Sequence, residues 1–153
     1  MYKSYFVNSI DDLSVTLDAE VVAFGNQFVV KDGLYIEDYY PNARVVIMCV
    51  VQMEATSLYH MFANLHQLEV VELPDLANVE CLDGAFMNCE ALHEVDIHTA
   101  TKVSMLDHTF YNCRSIKRIY LPETIEYTYE AFTKCPWRPG NDIIVLEADR
   151  RSW

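Results

Sequence analysis

The chain has 153 residues, a formal net charge of −12 and a hydrophobic fraction of 52%. Those values describe one ordinary domain with enough apolar material for a core, and they exclude an intrinsically disordered chain. Four glycines and five prolines leave no room for low-complexity linkers, and the longest uninterrupted apolar run, residues 45–51, is far too short to cross a bilayer.

The N-terminal stretch MYKSYFVNSIDD has no long apolar segment and turns acidic at once. It does not read as a signal peptide, and the chain reads as cytoplasmic. Five cysteines, an odd number in a chain large enough to fold without staples, are expected to be free thiols. Residues 1–101 carry sixteen acids against three bases (Lys3, Lys31 and Arg44), whereas residues 102–153 carry seven acids against eight bases. Phosphate contacts need cations, so no direct binding of nucleic acid or of a membrane is expected. A basic protein partner matches this charge. Solubility alone explains it equally well.

Residues 1–40 alternate like strands, with turn signals at Gly25-Asn26 and Asp32-Gly33. They are expected to form a β-rich cap over the open first coil of a repeating region. From residue 41 to 140 the chain repeats itself about every 24 residues. Phe62, Phe86, Phe110 and Phe132 recur in step, as do Asn64, Asn88 and Asn112, and Leu65, Cys89, Cys113 and Cys135. So do Leu68, Leu92 and Ile116; Val71, Val95 and Ile119; and Leu73, Ile97 and Leu121. Moving the frame back by 24 residues gives a worn copy with Ile47, Cys49 and Leu58 at apolar positions. Residues 143–146 supply a last strand before a charged tail.

Within one unit, Val71-x-Leu73, Val95-x-Ile97 and Ile119-x-Leu121 alternate with period two, as a short strand with one buried face does. The stretch before it has apolar residues at 58, 61, 62, 65 and 68, which is helical spacing, with Thr56 or Ser57 as the N-cap. Each unit is therefore predicted to be a short helix or helical turn, a strand and a loop. One unit cannot close a core, but stacked units can. The expected fold is an α/β solenoid with a parallel sheet on one side.

The pattern F-x-N-C-x-x-L-x-x-V-x-I, with V-x-x-L leading into the next copy and LPETIEYTYEAFTKCP closing the run, resembles the BspA-type leucine-rich repeats over residues 45–137. The resemblance implies a curved solenoid of short parallel strands that acts by binding other proteins or surfaces. Many members are secreted or stand on cell surfaces.

Chemical readings compete with this one around Gly84–Ile97. Cys81, Cys89, His93 and His98 offer zinc ligands, but their spacing lacks the C-x-x-C pair that places two thiolates on one metal. Cys89 shares its repeat position with Leu65, and a residue interchangeable with Leu is a core residue. A Cys/His nucleophile fails on the same ground, because Cys113 and Cys135 repeat that position. No phosphate-cradling glycine motif is present. Glu94 and Asp96 read as acids on a solvated strand rather than a general acid/base pair. No catalytic residue, metal or cofactor is expected, and the recurring asparagines are expected to hold turns.

If 71/73, 95/97 and 119/121 point inward, then Val70 and Glu72, Glu94 and Asp96, and Arg118 and Tyr120 point outward. This face is the expected partner-binding surface, since Tyr and Arg are favoured at interfaces. The expected function is non-enzymatic protein–protein interaction, with a partner that is basic rather than acidic. Its sharper form is an acidic stoichiometric inhibitor of the anti-defence type, mimicking nucleic acid in the cleft of a basic nucleic-acid-binding protein. The alternative is a cell-surface adhesion or carbohydrate-contacting module.

Overall fold

The computed structural model describes residues 1–136 and the backbone of the strand Ile144–Glu147. Among these residues nine short strands lie along the chain: β1 (Ser4–Val7), β2 (Val21–Phe24), β3 (Val29–Val30), β4 (Val45–Ile47), β5 (Gln52–Met53), β6 (Val70–Glu72), β7 (Glu94–Asp96), β8 (Arg118–Leu121) and β9 (Ile144–Glu147). Seven of them form one sheet in the order β1-β2-β4-β6-β7-β8-β9, and β3 pairs with β5 in a second. Every pairing is parallel. Each coil thus adds one rung, and the chain is a parallel solenoid. The last strand begins one residue later than expected, and the charged tail lies outside the described residues.

The first forty residues differ from expectation. β2 and β3 do not turn back on each other at Gly25-Asn26. Both run on in parallel to rungs of the following coil, and β1 pairs in parallel with β2. The N-terminal segment therefore extends the same sheet, with β1 as its end rung, rather than covering it. It shares with the next two coils a charged residue followed by two valines: Glu20-Val21-Val22, Arg44-Val45-Val46 and Glu69-Val70-Val71.

The helical half of the α/β expectation is also corrected. Among the described residues there is no α-helix, only the 3-10 turns Ile10–Asp12 and Ile36–Asp38. Residues 56–68 form tandem turns. The Met61 N–H returns to the Leu58 carbonyl (3.0 Å) around His60, whose φ is +53°. This is the left-handed third position of a type II turn. Asn64 follows at φ +62°, and the pattern repeats at Gly84 and Asn88, His108 and Asn112, and Glu130 and Lys134. A left-handed residue every fourth position breaks an α-helix. The freed N–H groups donate instead to the next coil, from Leu58 to Cys81 (3.0 Å), Phe62 to Ala85 (2.9 Å) and Asn64 to Met87 (2.8 Å). Two such turns bring every third or fourth side chain inward, which reproduces helical spacing without a helix. Ser57 does cap locally, its hydroxyl accepting the Tyr59 N–H at 3.1 Å.

Inside, equivalent side chains stack. Phe62, Phe86, Phe110 and Phe132 lie nearly parallel, with ring centroids 5.2, 5.6 and 5.8 Å apart. Offset stacked pairs of this kind are worth about 0.5–1.5 kcal/mol each beyond burial. Beside them runs a ladder of amides. Asn112 Nδ2 donates to Asn88 Oδ1 (3.0 Å), Asn88 Nδ2 to Asn64 Oδ1 (2.8 Å), and Asn64 Nδ2 to Glu37 Oε2 (3.0 Å). Arg114 Nε donates to the last open acceptor, Asn112 Oδ1, at 2.7 Å.

The worn copy is out of step by one residue. β4 pairs with β6 as Val45↔Val70 and Val46↔Val71, an offset of 25 rather than 24. The inward residues are therefore Val46 and Met48, both buried, while Ile47 faces outward beside Glu72 and Cys49 is exposed. A one-residue slip exchanges the faces of a strand. Ser57 pairs with Cys81 at an offset of 24, so the extra residue lies between Ile47 and Ser57.

Asn88 serves twice, as a left-handed residue and as a rung of the ladder, and two substitutions separate these roles. Asn88→Gly keeps the backbone and loses the amide, and is expected to cost about 1–2 kcal/mol. Asn88→Ala loses both, and is expected to cost about 2–3 kcal/mol. Gly84→Ala, at φ +62° and with its new Cβ only 2.3 Å from the His60 ring, is expected to cost about 1–2 kcal/mol. Urea unfolding midpoints of the three variants measure these differences.

Candidate partner-binding face

The sheet register decides which side chains share the open face. Val70 pairs with Glu94 and Glu94 with Arg118, giving one outward row. Asp96 pairs with Tyr120, and Glu72 occupies the same outward position in β6. The inward partners Val71, Val95 and Ile119 are buried. Val70, Glu72, Glu94, Asp96 and Arg118 are exposed and Tyr120 is half-buried. The structure thus brings the six predicted residues onto one surface of three neighbouring strands.

The charges on this surface interact across rungs. Arg118 Nη1 lies 3.5 Å from Glu94 Oε2, both side chains being about half exposed, a pair worth at most about 1 kcal/mol. Asp96 Oδ1 is 2.6 Å from His98 Nδ1. The rim just before the strands is neutralised more tightly. Arg44 Nη2 reaches Glu69 at 2.5 Å, its Nε reaches the same oxygen at 2.9 Å, and Glu20 is 3.8 Å away.

The face extends further than alternation within the repeats indicates. Val45 and Ile47 of β4 stand in register with Val70 and Glu72, and Val21 and Ala23 of β2 stand in register with Val45 and Ile47. These four are half-buried, and Val70 is 44% exposed. The open surface is therefore apolar over β2 and β4 and acidic from Glu72 through β7. Sequence reasoning missed these residues for two reasons: the first forty residues alternate as a cap would, and a frame of 24 misplaces the worn copy. The recurring charged-Val-Val triplet is the signal that locates them.

The cysteine and the histidine of Gly84–Ile97 separate by position. Cys89 is fully buried and its Sγ donates to the Phe62 carbonyl at 3.0 Å, while His93 on the strand side is exposed. Cys113 and Cys135 make the same bond to Phe86 (3.1 Å) and Phe110 (3.0 Å). Burial pushes the Cys89 and Cys113 thiols well above the usual range and Cys135 up to about 11, the reverse of what an attacking thiolate needs. Among the described residues no group of three or more His, Cys, Asp or Glu side chains is arranged to hold a metal ion. Nor is any helix among them long and apolar enough to cross a membrane.

The repeat geometry agrees with a family comparison. Residues 56–138, more than half of the chain, match the BspA type leucine rich repeat region in six copies. The chain belongs to the BspA-type leucine-rich repeat family. No curated protein matches it. The family's fold is that of a protein–protein interaction or adhesion-type module, and the repeat position that Cys89 shares with Leu65, Cys113 and Cys135 accounts for its buried thiol.

On the turn side, His108 lies between Asp107 at Nδ1 and Glu130 at Nε2, the latter 3.2 Å away. The hydrogen bond to Asp107 is the main cause that raises its pKa above the ordinary 6.5, partly opposed by desolvation and helped by the charges of Asp107 and Glu130. A pKa raised by folding stabilises the folded state below the unfolded value, and that contribution disappears as pH climbs through the folded value. The difference in Tm between the native chain and His108→Gln is expected to be largest in acid and to shrink as pH rises above 6.5. For the thiols, the expected outcome with a disulfide reagent is rapid modification of exposed Cys49. Cys89 and Cys113 are expected to react only in denaturant. Peptide mapping of the modified sites reads both.

Proposed function

We propose that the chain is a non-enzymatic module that binds a basic protein partner through the outward face of β6–β8. The observation that carries this reading is the register that sets Val70, Glu94 and Arg118 in one row, with Glu72, Asp96 and Tyr120 beside them. A parallel solenoid has saturated backbone hydrogen bonds across its inner rungs. Recognition there falls to the outward side chains, and these vary between coils while the inward ones repeat. Glu94, Asp96 and Tyr120 are such variable positions. Val95, Ile97 and Phe86 are not.

In its sharper form the module is a stoichiometric inhibitor of the anti-defence type. It would occupy the nucleic-acid-binding cleft of a basic protein as an acidic mimic. The net charge of −12 and the absence of Lys and Arg between Arg44 and Lys102 support this reading. An adhesion or carbohydrate-contacting role is the second reading. It draws on the family's fold and on the exposed rings of Tyr59, Tyr127 and Tyr129, since aromatic faces suit sugar rings.

Electrostatic attraction between exposed groups is screened by salt. Affinity for a basic nucleic-acid-binding partner is therefore expected to fall by about tenfold or more between 50 and 500 mM salt. The double charge reversal Glu94→Lys/Asp96→Lys should weaken binding at low salt by about 2–3 kcal/mol. Calorimetric titration of the purified pair measures both. Affinity indifferent to salt and to the reversal sinks the mimic, and specific capture on a glycan array supports the second reading.

A further inference from the structure

The two-part chemistry of the strand face specifies its occupant more closely than charge alone. Resting on the interaction reading above, we infer that the face receives an amphipathic helical segment of a partner protein, apolar over β2 and β4 and basic over β6 and β7. Val21, Ala23, Val45, Ile47 and Val70 form one continuous apolar patch because their strands pair in register. Glu72, Glu94 and Asp96 follow without a gap. Arg44 does not lend its charge to the apolar part, because it is held between Glu20 and Glu69 at the rim.

The backbone of the occupant follows from hydrogen-bond accounting. Inner strands of a paired sheet have no open edge to offer an added strand. An extended segment lying on the patch would press its own N–H and C=O groups against aliphatic side chains, which costs free energy for each unsatisfied group. A helix satisfies those groups internally. Three steps of about 4.8 Å from β2 to β7 span about 14 Å, roughly nine residues of helix. Nucleic acid is a poor occupant, because the acidic half repels phosphate. A second copy of this chain would carry its own excess of acid to the same surface.

The test uses the full chain, isotopically labelled, titrated by NMR with three helix-forming synthetic peptides of equal length. One carries leucines in its first half and lysines and arginines in its second, one is basic throughout, and one is apolar with neutral polar residues. The mixed peptide is expected to bind about tenfold more tightly than either other and to perturb β2, β4, β6 and β7. Val21→Ser and, independently, Val45→Ser, which remove apolar surface without adding charge, should each weaken the mixed peptide by about fivefold or more without weakening the basic one. Equal affinity for the basic peptide overturns the two-part occupant and leaves the strand-face reading intact. Perturbations confined to other surfaces, or self-association with no peptide bound, overturn both.

Discussion

Among the described residues no coil satisfies its own backbone, and that constraint organises everything else. On the turn side a left-handed residue at every fourth position stops the chain from bonding to itself as a helix. The N–H groups of Leu58, Phe62 and Asn64 then find carbonyls only on the next coil. On the strand side the rungs pair in parallel. Buried polar backbone must be paired, so each coil is defined by its neighbours. Stacking is obligatory, and with it comes the alignment of like side chains that makes the aromatic and amide columns possible.

The amide column shows how such a stack is ended. Each asparagine donates one way and accepts the other, so a run of them leaves an unused donor at one end and an unused acceptor at the other. Here the last donor meets the Glu37 carboxylate and the last acceptor meets the Arg114 guanidinium. Charged groups make the stronger terminal bonds. In the following coil the equivalent position is Lys134, still left-handed but unable to accept a hydrogen bond. The column therefore stops there, and an arginine two residues beyond the last asparagine closes it.

Much of the architecture is legible in the residues. Three nearly full copies define the inward set, and alternation in Val95-x-Ile97 and Ile119-x-Leu121 correctly places Glu94, Asp96, Arg118 and Tyr120 outward. The sharing of one repeat position by Leu65 and Cys89 is enough to mark a buried thiol. The misleading signals are those with two physical origins. Apolar residues three and four apart suit a helix, but they suit tandem four-residue turns as well, and only the asparagine that recurs once in each full coil distinguishes them. An insertion of one residue moves the worn copy onto the other face. Gly25-Asn26 suggests a hairpin, although the partners of the flanking strands lie a whole coil away. The apolar half of the face is hidden by the same two ambiguities.

Because Asn64, Asn88 and Asn112 each present a donor to the preceding coil and an acceptor on the opposite side, the interior cannot tell one middle coil from another. A unit of 24 residues, duplicated or deleted between Glu37 and Arg114, would leave the end groups meeting the same chemistry as before. The recognition surface can thus lengthen or shorten over generations by whole rungs, each bringing two new outward residues, while the packing that holds it is inherited unchanged.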